Sequence, residues 1–180
     1  MNILVLASTY PVGPGDSTPG FVHELSRRLV SMGHEVVVLT PHLPDSAVEE
    51  VMDGVRVRRF RYCLEHLETL IGQGGIVSRL RERPLRLLLV PLFLVAYSVA
   101  LLRIVRGRRF DAVHAHWIIP QGLIAALLLP QLGGTPLVCT AHGGDLFALR
   151  APAFRTLRRL VISRSACVTV VSCYMRDVLT

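Results

Sequence analysis

The residues best suited to chemistry stand in the run Thr140-Ala141-His142-Gly143-Gly144-Asp145, at the end of an apolar stretch over 136–141. That stretch predicts a buried strand. In an open parallel sheet, ligands bind beyond the carboxyl ends of the strands. A histidine at that end can titrate near neutrality and can bond to a hydroxyl or a phosphate, so His142 is the expected catalytic contact. Gly143 and Gly144 allow a ligand to approach the backbone closely. Asp145 can cap a helix expected over 146–149, or it can meet the ligand itself. A second constellation is Asp111-Ala112-Val113-His114-Ala115-His116-Trp117. His114 falls inside a strand expected over 111–115 and reads as a structural histidine. His116 and Trp117 fall just past its end, on the ligand side. Two histidines at i and i+2, without a third or a carboxylate, do not make a zinc set, and no metal is expected. The third signal is the loop 9–20, which carries Gly13, Gly15 and Gly20 between a strand over 3–7 and a helix over 21–32. Its glycines would let backbone amides reach a phosphate, and the helix N-terminus favours an anion.

These same residues exclude two classes. Gly13-Pro14-Gly15 followed by Gly20 is not the dinucleotide fingerprint, and the strand expected over 35–40 ends in Thr40-Pro41 with no acid for a ribose. A nicotinamide dehydrogenase is therefore disfavoured. A P-loop is ruled out because the chain contains no lysine: all 20 basic residues are arginine, with a net charge of +7. Arginine pairs with phosphate through two parallel bonds, so anionic partners fit, although nucleic acid is not expected among them. The four cysteines, Cys63, Cys139, Cys167 and Cys173, form no CxxC pair. Cys139 and Cys167 lie in apolar runs and are expected to be buried. A reducing cytoplasm is the expected compartment. The N-terminus lacks a basic region before its short apolar run, which reads as a strand and not as a leader.

The elements that must position these residues alternate from end to end. Strands are expected over 3–7, 35–40, 55–60, 111–115, 136–141 and 166–171, with 55–60 near the sheet edge. Helices are expected over 21–32, 120–132 and 152–164. The class is α/β, a Rossmann-like three-layer sandwich with a mainly parallel sheet, and residues 1–180 make one domain.

The segment bounded by Arg79 and Arg109 stands apart. Residues 87–102 carry no charge, while Arg79, Arg81, Arg83 and Arg86 precede them and Arg103, Arg106, Arg108 and Arg109 follow. As a helix, that uncharged core reaches about 24 Å, short of the roughly 30 Å of a hydrocarbon core. A transmembrane span is not expected. Two uses remain open: docking on an anionic membrane at the inner face of the cell, or packing on the sheet.

Taken in chain order, the runs ASTYP…PGFVHELSRRLVSMGHEVVVLTP, DAVHAHWIIPQGLIAALL, TPLVCTAHGGDLFALR and CVTVVSCYMRDVL resemble glycosyltransferase family 4 of the GT-B fold. The resemblance covers nearly the whole chain except about 43–109. It implies the acceptor-side half of a retaining enzyme, which moves sugar from a nucleotide-sugar to a saccharide or lipid-linked acceptor without a cofactor. It also implies that Gly20 and Gly15 approach the donor diphosphate and that His142 reaches the transferred sugar. His116, Trp117, Gly143 and Asp145 would lie on the acceptor and sugar side. Many relatives carry a glycine pair where Pro19-Gly20 stands here. The family's C-terminal donor-binding domain, with its paired glutamates, has no counterpart in the chain, which is therefore expected to be inactive alone. The alternatives are a non-catalytic module that binds a sugar or a lipid-linked saccharide beside a partner chain, and, ranked last, an epimerase.

Overall fold

A computed structural model describes residues 1–13, 16, 18, 20–44, 46–72 and 75–179. Continuous apolar runs make strands that must be covered on both faces. β1 (Asn2–Leu6) and β2 (Glu35–Pro41) are of this kind and pair in parallel, Leu4 against Val37. α1 (Phe21–Ser31) joins them, and the chain leaves the helix through Gly33, whose φ of 85° suits glycine. The other strands are β3 (Glu49–Met52), β4 (Val55–Phe60), β5 (Ala112–His116), β6 (Leu137–Ala141) and β7 (Cys167–Val170). The sheet order is β3-β4-β2-β1-β5-β6-β7, and only the β3–β4 pair is antiparallel.

Ile3, Val5 and Ala7 face α1 and pack with Val22 and Val38. Leu4 and Leu6 face the opposite layer, which is built from α3 (Leu89–Gly107), α4 (Leu123–Leu127) and α6 (Pro152–Arg164). Helices thus cover both faces, giving the expected three-layer α/β architecture. The shorter helices are α2 (Gly75–Glu82), α5 (Gly144–Phe147) and α7 (Cys173–Leu179).

Three local expectations change. β4 lies near the sheet edge as expected, but a further strand that was not expected, β3, forms the edge itself. A hairpin through Asp53 (φ 48°) and Gly54 (φ 80°) places it there, and an Asp-Gly pair is the sequence signal for such a turn. The helix expected over 120–132 is broken into an irregular turn at Ile118–Gly122, α4, and a 3-10 turn at Leu129–Leu132. Pro130 removes an amide that a continuous helix would need, and the backbone at Ile119 is extended (φ −129°, ψ 126°). Cys139 is buried, but Cys167 is exposed on the edge strand β7.

Of the two readings of the arginine-flanked segment, packing on the sheet holds for one face of α3. Phe93, Tyr97, Leu101 and Ile104 repeat at helical spacing and are buried on the sheet. The Tyr97 hydroxyl lies 3.1 Å from both the Ala7 and the Leu39 carbonyl oxygens, which fixes the helix over β1 and β2. The opposite face remains exposed.

Candidate functional site

The chain runs from β1 outward to β2 on one side and later to β5 on the other, so β1 and β5 flank the point where the sheet order reverses. Ligands bind at such a point. Beyond these strand ends lies a cleft of about 360 Å³. Among the described residues, Ser8 and Thr9 after β1, Trp117, Ile119 and Pro120 after β5, and Gly144 and Asp145 after β6 line it, together with Phe21 and Arg81.

Trp117 enters this cleft from a strained backbone, with φ 73° and ψ 129°. A bulky residue adopts positive φ only where its surroundings hold it there. The Trp117 amide donates to the Thr140 carbonyl at 2.8 Å, and the next amide, Ile118, donates to Asp145 Oδ2 at 2.7 Å. Asp145 Oδ1 accepts from the Gly143 amide at 3.1 Å. Asp145 is therefore a strut between the turns after β5 and β6. It does not cap α5, whose N-cap is Gly143. Burial raises the Asp145 carboxyl pKa despite these bonds. Gly143 has a φ of 98°, and a Cβ there would lie 3.6 Å from the Phe147 ring.

Beside the cleft sit three histidines, none of them among its lining residues, with His142 half-buried. His114 Nε2 and Thr140 Oγ1 lie 2.7 Å apart, in the structural role expected of His114. His116 is buried, at 2% exposure, and so stands behind the wall. Its Nδ1 lies 2.9 Å from His142 Nε2. The His142 ring packs against Phe21 (centroids 4.6 Å apart) and Trp117 (4.9 Å), both of which line the cleft. Desolvation pulls His142 and His114 down to about 4 and His116 to about 2. All three are neutral at pH 7, so His142 does not titrate near neutrality as its position in the sequence suggested. His116 Nε2 has no partner among the described residues. An unpaired buried acceptor costs less than an unpaired N–H. His116 Nδ1 therefore donates to His142 Nε2, and the proton of His142 sits on Nδ1.

Gly20 starts α1 with φ −78° and open space where a Cβ would project. Its loop is held by Asp16, whose carboxylate accepts from the Val12 and Thr18 amides at 2.8 Å each and is lowered in pKa by them. Buried Arg59 secures the loop from below by donating to the Pro11 carbonyl at 2.8 Å. Gly15 lies outside the described residues. Among the described residues, no three metal-ligating side chains converge.

Two contributors escape sequence reasoning. Arg81 reads there as a flank of the apolar segment, yet α2 carries it over the strand ends into the cleft wall. Nothing local separates it from Arg79 and Arg83; only tertiary packing does. Gln121 is fully buried, and with its amide oriented to satisfy its neighbours it donates to the His116 carbonyl and accepts from the Ser8 amide.

Residues 20–180 match the model of the glycosyl transferase 4-like domain. The chain belongs to this family. Over 174 residues it is 24% identical to N-acetyl-alpha-D-glucosaminyl L-malate synthase of Bacillus anthracis, a match covering 96% of this chain and 40% of that protein. The chain thus spans about 40% of that relative's length. It also shares its fold with a sucrose-phosphate synthase from Thermosynechococcus elongatus, with a TM-score of 0.64 and 17% identity over 99% of this chain and 81% of that one. The resemblance read from the motifs is thereby established, and the domain is of the glycosyltransferase type.

Proposed function

We propose that this domain is the acceptor-side half of a retaining glycosyltransferase and that the cleft at the ends of β1, β5 and β6 holds an acceptor bearing an anionic group. The observation that carries this reading is Arg81, a cation in the wall of an otherwise mostly apolar cleft that Trp117 and Asp145 also line. A phosphate on a lipid-linked acceptor or a carboxylate on a small one would meet it. L-malate, in the name of the curated relative, is an acid of the second kind. Trp117 offers a flat apolar face on which a sugar ring can rest. The His142 Nδ1–H has no protein partner among the described residues, so it is free to donate to a hydroxyl of the transferred sugar. The start of α1 at Gly20 points backbone amides toward the donor diphosphate. On this reading a donor-binding domain supplies the rest of the nucleotide-sugar site.

Trp117 is the sole tryptophan, so its fluorescence reports occupancy of the cleft. L-malate and glucose 6-phosphate serve as anionic probes, and glucose as a neutral one. A saturable change with an anionic probe, weakened at least about tenfold in Arg81→Ala, is expected for a direct ionic contact. No response to any probe, or an equal response in Arg81→Ala, would refute the anionic-acceptor reading.

A further inference from the structure

We propose that the outer face of α3, with the arginines at its ends, docks this domain on an anionic lipid bilayer, the helix lying in the membrane plane. The proposal does not rest on the sugar-transfer reading.

Leu88, Leu92, Val95 and Val99 are 75%, 51%, 63% and 39% exposed, and they repeat at i, i+4, i+7 and i+11. That spacing makes one apolar stripe, roughly 16 Å long, on the side of α3 away from the sheet. The same stripe continues at the carboxyl end into exposed Arg103 and Arg106. Apolar side chains in such a contiguous row on a surface mark a place where something else binds.

Charge identifies the occupant. Between Glu82 and Asp111 there are six arginines and no acid. Arg83, Arg103, Arg106 and Arg109 make no ion pair among the described residues. Arg79 and Arg86 are held by Glu82 and are not free to dock. Near the carboxyl end of the stripe is a recess of about 270 Å³ where Arg56 and Arg58 of β4 meet Arg103 and Arg108. Arg58 is paired with Glu49, and Arg108 with Glu35, but Arg56 and Arg103 have no ion-pair partner among the described residues. Four guanidinium groups around one small recess suit a phosphate headgroup. A bilayer offers in one plane what this surface asks for: an apolar interior for the stripe and dense negative charge for both ends.

The segment Pro84–Gly107, 24 residues with a mean hydropathy of 2.3 over its most apolar 18-residue window, is long and apolar enough to cross a membrane. Crossing would strip Phe93, Tyr97, Leu101 and Ile104 from the sheet and break both Tyr97 bonds. An in-plane helix keeps those contacts and buries only the stripe.

Co-sedimentation with vesicles of phosphatidylcholine, with and without about one-third phosphatidylglycerol, decides the matter. The expected result is binding to the anionic vesicles alone, reduced by high salt. Leu92→Glu/Val95→Glu and Arg103→Glu/Arg106→Glu should each weaken it at least about tenfold. All four positions are exposed, and circular dichroism melts check that the variants fold. Absence of binding at low salt, equal binding to neutral vesicles, or unchanged binding by the Leu92→Glu/Val95→Glu variant would overturn the proposal. So would a dimer in light scattering that dissociates in that variant while the wild type ignores vesicles, because a second copy would then cover the face.

Discussion

His116 and His142 stack with ring centroids 5.2 Å apart, joined by a 2.9 Å bond between Nδ1 of the first and Nε2 of the second. The bond sets the proton of His142 on its other nitrogen, so the ring offers a neutral donor and not a cation. Both elements that meet here are strand ends, β5 and the turn after β6, and the pairing of His116 with Thr140 fixes their register.

Three desolvated histidines, buried His116 and half-buried His114 and His142, make stability depend on pH. The folded values, about 4, 2 and 4, lie below the ordinary value of 6.5. The unfolded chain therefore binds more protons between about pH 4 and 6.5, and stability rises with pH across that window. It is complete above about 6.5 and lost toward 4, by an amount on the order of a few kcal/mol. Asp145, raised by burial, offsets part of this loss at acid pH. Denaturant titrations at pH 7 and pH 4.5 should show the drop, and His114→Gln should shrink it. A flat profile would mean that the histidines are solvated.

Asp145→Ala should destabilise the domain by about 2 kcal/mol, because the Ile118 and Gly143 amides lose a buried charged acceptor. It should also release the strained Trp117 backbone and alter the Trp117 emission maximum. A variant with native stability and native emission would show that the strut is not needed.

Tyr97→Phe keeps the ring packing but removes the hydroxyl that reaches the Ala7 and Leu39 carbonyls. The expected cost is about 1–2 kcal/mol in denaturant titration. No measurable cost would indicate that α3 is held on the sheet by its apolar contacts alone.

Much of this fold is legible in the sequence because parallel strands announce themselves as apolar runs: β1, β2, β5 and β6 were each expected within a residue or two of their place. β3 was not, since Glu49 and Val51 are exposed and only the Asp53-Gly54 turn betrays it. The turns bearing Trp117 and Gly143 were found where strands end, but what each side chain does there depends on neighbours distant in sequence. His116 could be placed at a strand end from its spacing, yet its burial follows from packing beside His142. Asp145 reads locally as a cap, and its true partner, the Ile118 amide, lies 27 residues away. Arg81 lacks any local mark, because the loop that brings α2 over the cleft follows no periodic pattern.

The most direct test of the account is the rate of sugar transfer by the enzyme containing this domain, wild type against His142→Ala. A donor that acts on the transferred sugar as charge develops should appear in kcat more than in binding. The account predicts a fall in kcat of about a hundredfold or more, with the acceptor KM changed by less than about threefold. An unchanged kcat in His142→Ala would contradict it and leave His142 as a packing residue between Phe21 and Trp117.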